Sequence, residues 1–345
     1  MKRRDFLKSA PAGAAIALAT PHLAKAQSTA LRLHQFLPPQ ALIPSQILVP
    51  WANDLAEATD GDLTVQHFDA MALGGAPPDL FDQSRDGIAD VVMTLGGYTP
   101  GRFPRTEVFD LPFIMKDPIA TARAYWEMMS TDFQDAEYAD TQILTAWVHG
   151  PGVIHTSEPV ERLEDMGGKT LRGPTRVITD LLAELGAEPV GMPVPAIPEA
   201  LSRGVIDGTV IPWEVTASLR LSELLDYHTE ITGDTALYTT SFVLSMNKAS
   251  YEGLPDDLRT ALDSVSGADR AMQAAGAMVA GDAPARQIAV DAGNTVIELD
   301  AAEVDRWRAA AAPVTARWVE SMAERDIDGQ ALIDRASALI DQYTS

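Results

Sequence analysis

The chain holds 345 residues, with 26 Lys and Arg against 49 Asp and Glu, a formal charge of −23, and no Cys. This acidity excludes a nucleic-acid backbone and an anionic membrane surface, which both call for a basic face. The lack of Cys excludes disulfides, thiolate nucleophiles, Fe–S clusters and Cys-type zinc sites. With 46% hydrophobic and 22% charged residues the chain is neither disordered nor fibrous, and its length suits roughly two domains.

Residues 1–26 read as an export signal. Arg3-Arg4 is followed by Asp5-Phe6-Leu7-Lys8, then a weakly apolar run from Ala12 to Ala19, then a small-x-small end at Ala24-Lys25-Ala26. The paired arginines resemble a twin-arginine signal, and the apolar run is short of the roughly 20 residues a bilayer span needs. The segment carries five basic side chains and one acidic, so cleavage after Ala26 would leave 319 residues with 21 basic and 48 acidic groups, a charge of −27. No later stretch is apolar enough to insert in a membrane, so a soluble, exported protein is expected.

The rest of the chain alternates strand and helix. Leu31, Leu33, Gln35 and Leu37 interleave with Arg32, His34 and Phe36 in a strand pattern that ends at Pro38-Pro39. Pro44 to Ala58 carries a helical stripe, Leu63 to Phe68 reads as a second strand, Pro78 to Asp86 as a helix and Ile88 to Met93 as a buried strand. The same grammar restarts with a strand at Gln142–Val148 and another at Thr170–Arg172. A helix over Arg176–Leu185, an extended Glu188–Val190, a helix over Ala196–Arg203 and a strand over Val205–Ile211 follow. Thr239–Asn247 is a late strand, and from Asp256 the chain reads as helical to its end. The expectation is an α/β protein of two lobes with mixed sheets.

Catalytic equipment is thin. No GxGxxG turn, GxxxxGK[ST] loop, HExxH helix or GxSxG elbow occurs. His149 and His155 flank a Gly-Pro-Gly turn and could converge on a ligand. With Glu214 they are the candidate acid–base groups of an alternative reading as an exported hydrolase or lyase. No cofactor and no metal are expected.

Gly168-Lys169-Thr170-Leu171-Arg172-Gly173-Pro174 is similar to the G-K-x-[LI]-R-x-P segment of DctP-type substrate-binding proteins of TRAP (tripartite ATP-independent periplasmic) transporters. Other segments resemble the family in the same order. They include Asp86-Gly87-Ile88-Ala89-Asp90, Phe109-Asp110-Leu111-Pro112-Phe113, Leu185-Gly186-Ala187 with Pro189, Gly204 to Gly208, and Met246-Asn247-Lys248. The resemblance implies a venus-flytrap periplasmic-binding-protein fold with a helical C-terminal region bridging the lobes. Residues 27–151 with about 239–279 would form lobe I, and residues 152–238 with about 280–345 lobe II. It implies a periplasmic monomer that closes on a small organic acid and passes it to the membrane permease subunits, or presents it to a signalling partner as a sensor. It also implies that Arg172 makes a bidentate salt bridge to the ligand carboxylate. A planar, permanently charged fork suits that task in so acidic a chain.

Departures from the family pattern bear on the ligand. Many members carry a second arginine in the segment after the Gln142–Val148 strand; here that segment is His149 to His155, with Gly152 about where the arginine would fall. The Asn expected after Asp207-Gly208 is replaced by Ile211, with Trp213 two residues on. Phe36 ends the first strand, and Val194 stands where the family often has phenylalanine. The expected lining is therefore Phe36, Tyr98, Val194, Ile211 and Trp213, with His149 and His155 nearby and Arg172 as the one cation. Such a pocket rewards an apolar body and penalises unmatched polar groups, so a hydrophobic or aromatic monocarboxylate is expected.

Overall fold

The computed structural model describes residues 28–344, so the expected signal segment 1–26 lies outside the described residues. Among the described residues eleven strands occur in chain order: β1 (Thr29–His34), β2 (Leu63–Phe68), β3 (Val91–Leu95), β4 (Thr141–Val148), β5 (Gly152–Thr156), β6 (Thr170–Gly173), β7 (Glu188–Gly191), β8 (Gly208–Pro212), β9 (Tyr227–Ile231), β10 (Ser241–Asn247) and β11 (Thr295–Leu299). They form a five-stranded sheet in the order β2-β1-β3-β10-β4 and a six-stranded sheet in the order β11-β9-β5-β8-β6-β7. These sheets are the centres of lobes I and II.

Both sheets are mixed. In lobe I, β1 runs parallel to β2 and β3, and β10 returns antiparallel between β3 and β4. Every residue of β3, β4 and β10 is buried except Gln142, as expected of strands covered on both faces. In lobe II, β6 lies parallel between β7 and β8, while β5 runs antiparallel to both β8 and β9. Strands β5, β9 and β11 were not expected. The first is short and opens on glycine, and the other two sit in stretches that lack a clear apolar alternation.

Helices cover the sheets. Asp117 caps the helix Pro118–Met128 by accepting from the Ala120 N–H at 2.7 Å, with Pro118 pre-set at its first position. Thr175 caps Arg176–Glu184, whose buried stripe is Val177, Ile178, Leu181 and Leu182. The chain crosses between lobes at 149–151, at 232–240, and along the long helix Gly267–Asp291, which packs on β4 and Pro118–Met128 at one end and on the turn Trp213–Thr216 at the other. The helix Ala301–Ala323 packs on Arg176–Glu184 of lobe II. The last helix, Gly329–Thr344, then returns to Pro118–Met128 of lobe I. The expected boundary kept everything after about 280 in lobe II. The return depends on contacts across some two hundred residues, among them Lys116 with Asp341 and Arg335 with Asp132. Among the described residues no helix is long and apolar enough to cross a membrane.

The lobes touch across their cleft. Glu107 of lobe I pairs with Arg176 of lobe II and accepts from the Trp318 indole N–H at 3.2 Å. The Tyr98 hydroxyl accepts from the Val194 N–H at 3.1 Å. Gly97 lies so close to Thr175 that a Cβ would fall 2.3 Å from the threonine methyl, so a side chain there would hold the lobes apart.

Candidate functional site

The chemistry of the cleft is set at the carboxyl end of β6. Arg172 is paired in register with Val190 of β7 and Thr209 of β8. The strand then ends at Gly173, and the crevice beyond such strand ends is where α/β sheets bind ligands. Arg172 is 1% exposed. Its Nε donates to the Met192 carbonyl at 2.8 Å and its Nη1 to the Val210 carbonyl at 3.2 Å. Nη2 is buried with no hydrogen-bond partner. Burial pulls the guanidinium pKa down, and only the Tyr98 and Tyr238 hydroxyls beside it act the other way. A buried cation with free N–H groups and, among the described residues, no carboxylate in ion-pair contact is a costly arrangement unless an anion completes it.

Arg172 faces a cavity with about 380 Å³ of empty space, part of it open to solvent. Phe36, Leu37, Ile43, Leu95, Val194 and Ile211 supply aliphatic and aromatic wall, and Tyr238, Thr240 and Phe242 close it from the hinge side. The Tyr238 hydroxyl is a second buried polar group without a partner. Its room is made by Gly152, where a Cβ would lie 2.0 to 2.4 Å from atoms of the tyrosine ring. The space beside Gly152 is thus given over to an aromatic side chain from β10's approach.

His149 lines the cavity and meets Tyr238 edge-on at 5.5 Å between ring centres. Its Nδ1 lies 2.5 Å from the Gly150 carbonyl, and a carbonyl can only accept, so Nδ1 carries the proton. Burial, and secondarily the Arg172 charge, push its pKa down to about 4, which leaves the ring neutral. Glu214 lines the same cavity at 7% exposure, and burial, with Asp282 beside it, raises its carboxyl pKa well above the usual range.

The expected residues thus divide. Phe36, His149, Arg172, Val194 and Ile211 come together on one cavity. Tyr98 stands behind Phe36, 5.4 Å between ring centres, and lines the outer mouth of the cleft instead. Trp213 and His155 are corrected. Trp213 packs with Val153, Ala285 and Ala289 and donates to Glu230 at 2.7 Å. His155 sits in the core of lobe II, 2.6 Å from His228 between Nδ1 atoms, its Nε2 on the Ile211 carbonyl. The reason is position along the strand. Val153 and His155 pair in register with Ile211 and Thr209 of β8 and so share a face with Ile211, but His155 lies further from the strand end that meets the cavity and is enclosed by His228 and Trp213. Trp213 leaves the strand into the turn Trp213–Thr216 and packs edge-on to His155, 5.0 Å between ring centres. With His155 elsewhere, the acid–base constellation of His149, His155 and Glu214 is not assembled. Among the described residues no cluster of His, Asp and Glu fits a metal ion.

A family model described as bacterial extracellular solute-binding protein, family 7 (DctP), matches residues 35–322. The chain belongs to this family. Several solved neighbours are described as TRAP solute-binding proteins. A TRAP solute-binding protein from Rhodoferax ferrireducens, solved with copurified benzoate, is 44% identical over 92% of this chain and 99% of its own, with a TM-score of 0.90. A marine-metagenome TRAP protein specific for aromatic acids, solved with 3-hydroxybenzoate, is 41% identical over 92% and 100% of the two chains, TM-score 0.90. The C4-dicarboxylate-binding periplasmic protein DctP of Rhodobacter capsulatus is 27% identical over 79% of this chain and 80% of its own. The two-lobed architecture of the DctP family is therefore that of this chain.

Proposed function

We propose that this protein captures an aromatic monocarboxylate in the periplasm and hands it to the permease of a TRAP transporter, without altering it chemically. The reading rests on one observation. The free N–H groups of Arg172 and the unpartnered Tyr238 hydroxyl converge on a cavity otherwise walled by Phe36, Phe242, Ile211 and other apolar groups. The carboxylate would take Nη2 and the second N–H of Nη1, bonds strengthened by charge and burial, and the ring would fill the aromatic end. The benzoate and 3-hydroxybenzoate complexes of the relatives support this. Export by the twin-arginine route, cleavage after Ala26, and a monomer in solution belong to the same proposal.

Calorimetry with benzoate, mandelate, succinate and glucuronate tests it. Benzoate or mandelate should bind at least about a hundredfold tighter than the other two, whose extra polar groups meet apolar wall at about 1–3 kcal/mol each. Preferential binding of succinate or glucuronate would refute it.

A further inference from the structure

We infer that Glu214 is a second recognition group, which reads a hydroxyl on the ligand at the end away from its carboxylate; this rests on the aromatic-acid reading above. Glu214 is more than nine-tenths buried and lines the same cavity as Arg172. Its backbone N–H donates to Asp282 at 3.0 Å, but its side-chain carboxyl takes part in no hydrogen bond among the described residues. The other acidic side chains buried among the described residues each accept at least one hydrogen bond: Asp110 at Oδ1 from the Ser241 N–H, with Oδ2 unpartnered, and Glu107 from Arg176 and Trp318. A carboxyl so enclosed, with no protein partner for its side chain, is available to a ligand group that can both donate and accept.

The two polar ends of the cavity are distinct. Arg172 has Tyr98, Tyr238 and His149 beside it, whereas Glu214 has Asp282. Glu214 also sits against Gly281 of the crossing helix, where a Cβ would fall 3.0 Å from its own Cβ, and opposite Leu42 of lobe I. A ligand anchored on Arg172 and lying along the apolar wall therefore presents its far edge to Glu214. A ring hydroxyl there donates to the carboxyl oxygen or accepts its proton, whereas a bare ring leaves the carboxyl as it stands. A second carboxylate on the ligand would meet an acid and no cation, so the group is suited to a neutral substituent.

The test is calorimetry on the full mature protein with benzoate, 3-hydroxybenzoate and 4-hydroxybenzoate, in the wild type, Glu214→Gln and Glu214→Leu. One hydroxybenzoate should bind the wild type about tenfold or more tighter than benzoate. Glu214→Gln, which still donates and accepts, should keep most of that gap. Glu214→Leu should reduce it to about threefold or less while benzoate still binds. Equal binding of all three acids by the wild type would overturn the inference, as would an undiminished gap in Glu214→Leu. Failure of all three to bind the wild type would overturn the aromatic-acid reading and this inference with it. The wild-type series keeps the inference testable if the leucine variant fails to fold.

Discussion

Replacing Arg172 by Met separates recognition from folding. In the free protein the guanidinium makes hydrogen bonds to the carbonyls of Met192 and Val210, and Nη2 makes none. Loss of those two bonds costs about 1–3 kcal/mol each. Against this, the variant no longer buries an unpaired cation, a burden of several kcal/mol. The ligand-free protein should therefore lose little stability or gain some. Binding is different, because the carboxylate would enter an apolar cavity with no counter-charge. Truncating one partner of a buried pair costs about 3–5 kcal/mol, and at about 1.4 kcal/mol per decade that is a loss of about 10²- to 10⁴-fold in affinity. Titration calorimetry with benzoate and a ligand-free thermal melt measure the two quantities. Benzoate affinity within about fivefold of wild type would refute Arg172 as the anchor. A ligand-free Tm lower by more than about 5 °C would mark it as a scaffold residue instead.

Two other perturbations probe the lobe contact and the buried acids. Glu107→Ala removes the tie to Arg176 and Trp318 without touching the cavity, and because Arg176 is about a third exposed its loss is discounted to about 1–2 kcal/mol. Benzoate affinity should fall about 5- to 30-fold, and unchanged affinity would show that the pair does not hold the cleft shut. Burial, with nearby Glu107 adding to it, raises the Asp110 pKa to about 7. The native state therefore binds more protons than the unfolded chain, and the stability from Asp110 is complete below about pH 4 and lost as pH rises to about 7. Asp110→Asn should flatten the fall of unfolding free energy over that window by up to about 1.4 kcal/mol per pH unit in urea titrations, and parallel wild-type and variant profiles would refute the assignment.

What could be read from the sequence was local. That Arg172 faces the cavity was readable because the residues that place it, Lys169 to Pro174, are its chain neighbours. That Phe36 and Ile211 line it was readable from their positions at strand ends. Trp213 was misplaced because two residues past a strand end the chain has left strand geometry, so counting by twos no longer tells which face a side chain takes. Tyr238, Thr240 and Phe242 escaped notice because they reach the cavity only through the antiparallel return of β10 between β3 and β4, a pairing with partners some 90 to 150 residues away. The helix Gly329–Thr344 escaped for the same reason, since its stripe shows that it packs and not which lobe it packs on.

The crowding of Gly152 against Tyr238 has a consequence for how such a site can change its ligand over evolutionary time. The two positions behave as one unit: space surrendered at the first is filled by the second. A long side chain introduced at 152 would be driven into the ring, and loss of the ring alone would open a void beside Arg172. Either single step disturbs the cavity more than the two made together. Under the aromatic-acid proposal, the residue pair should therefore be kept together or exchanged both at once.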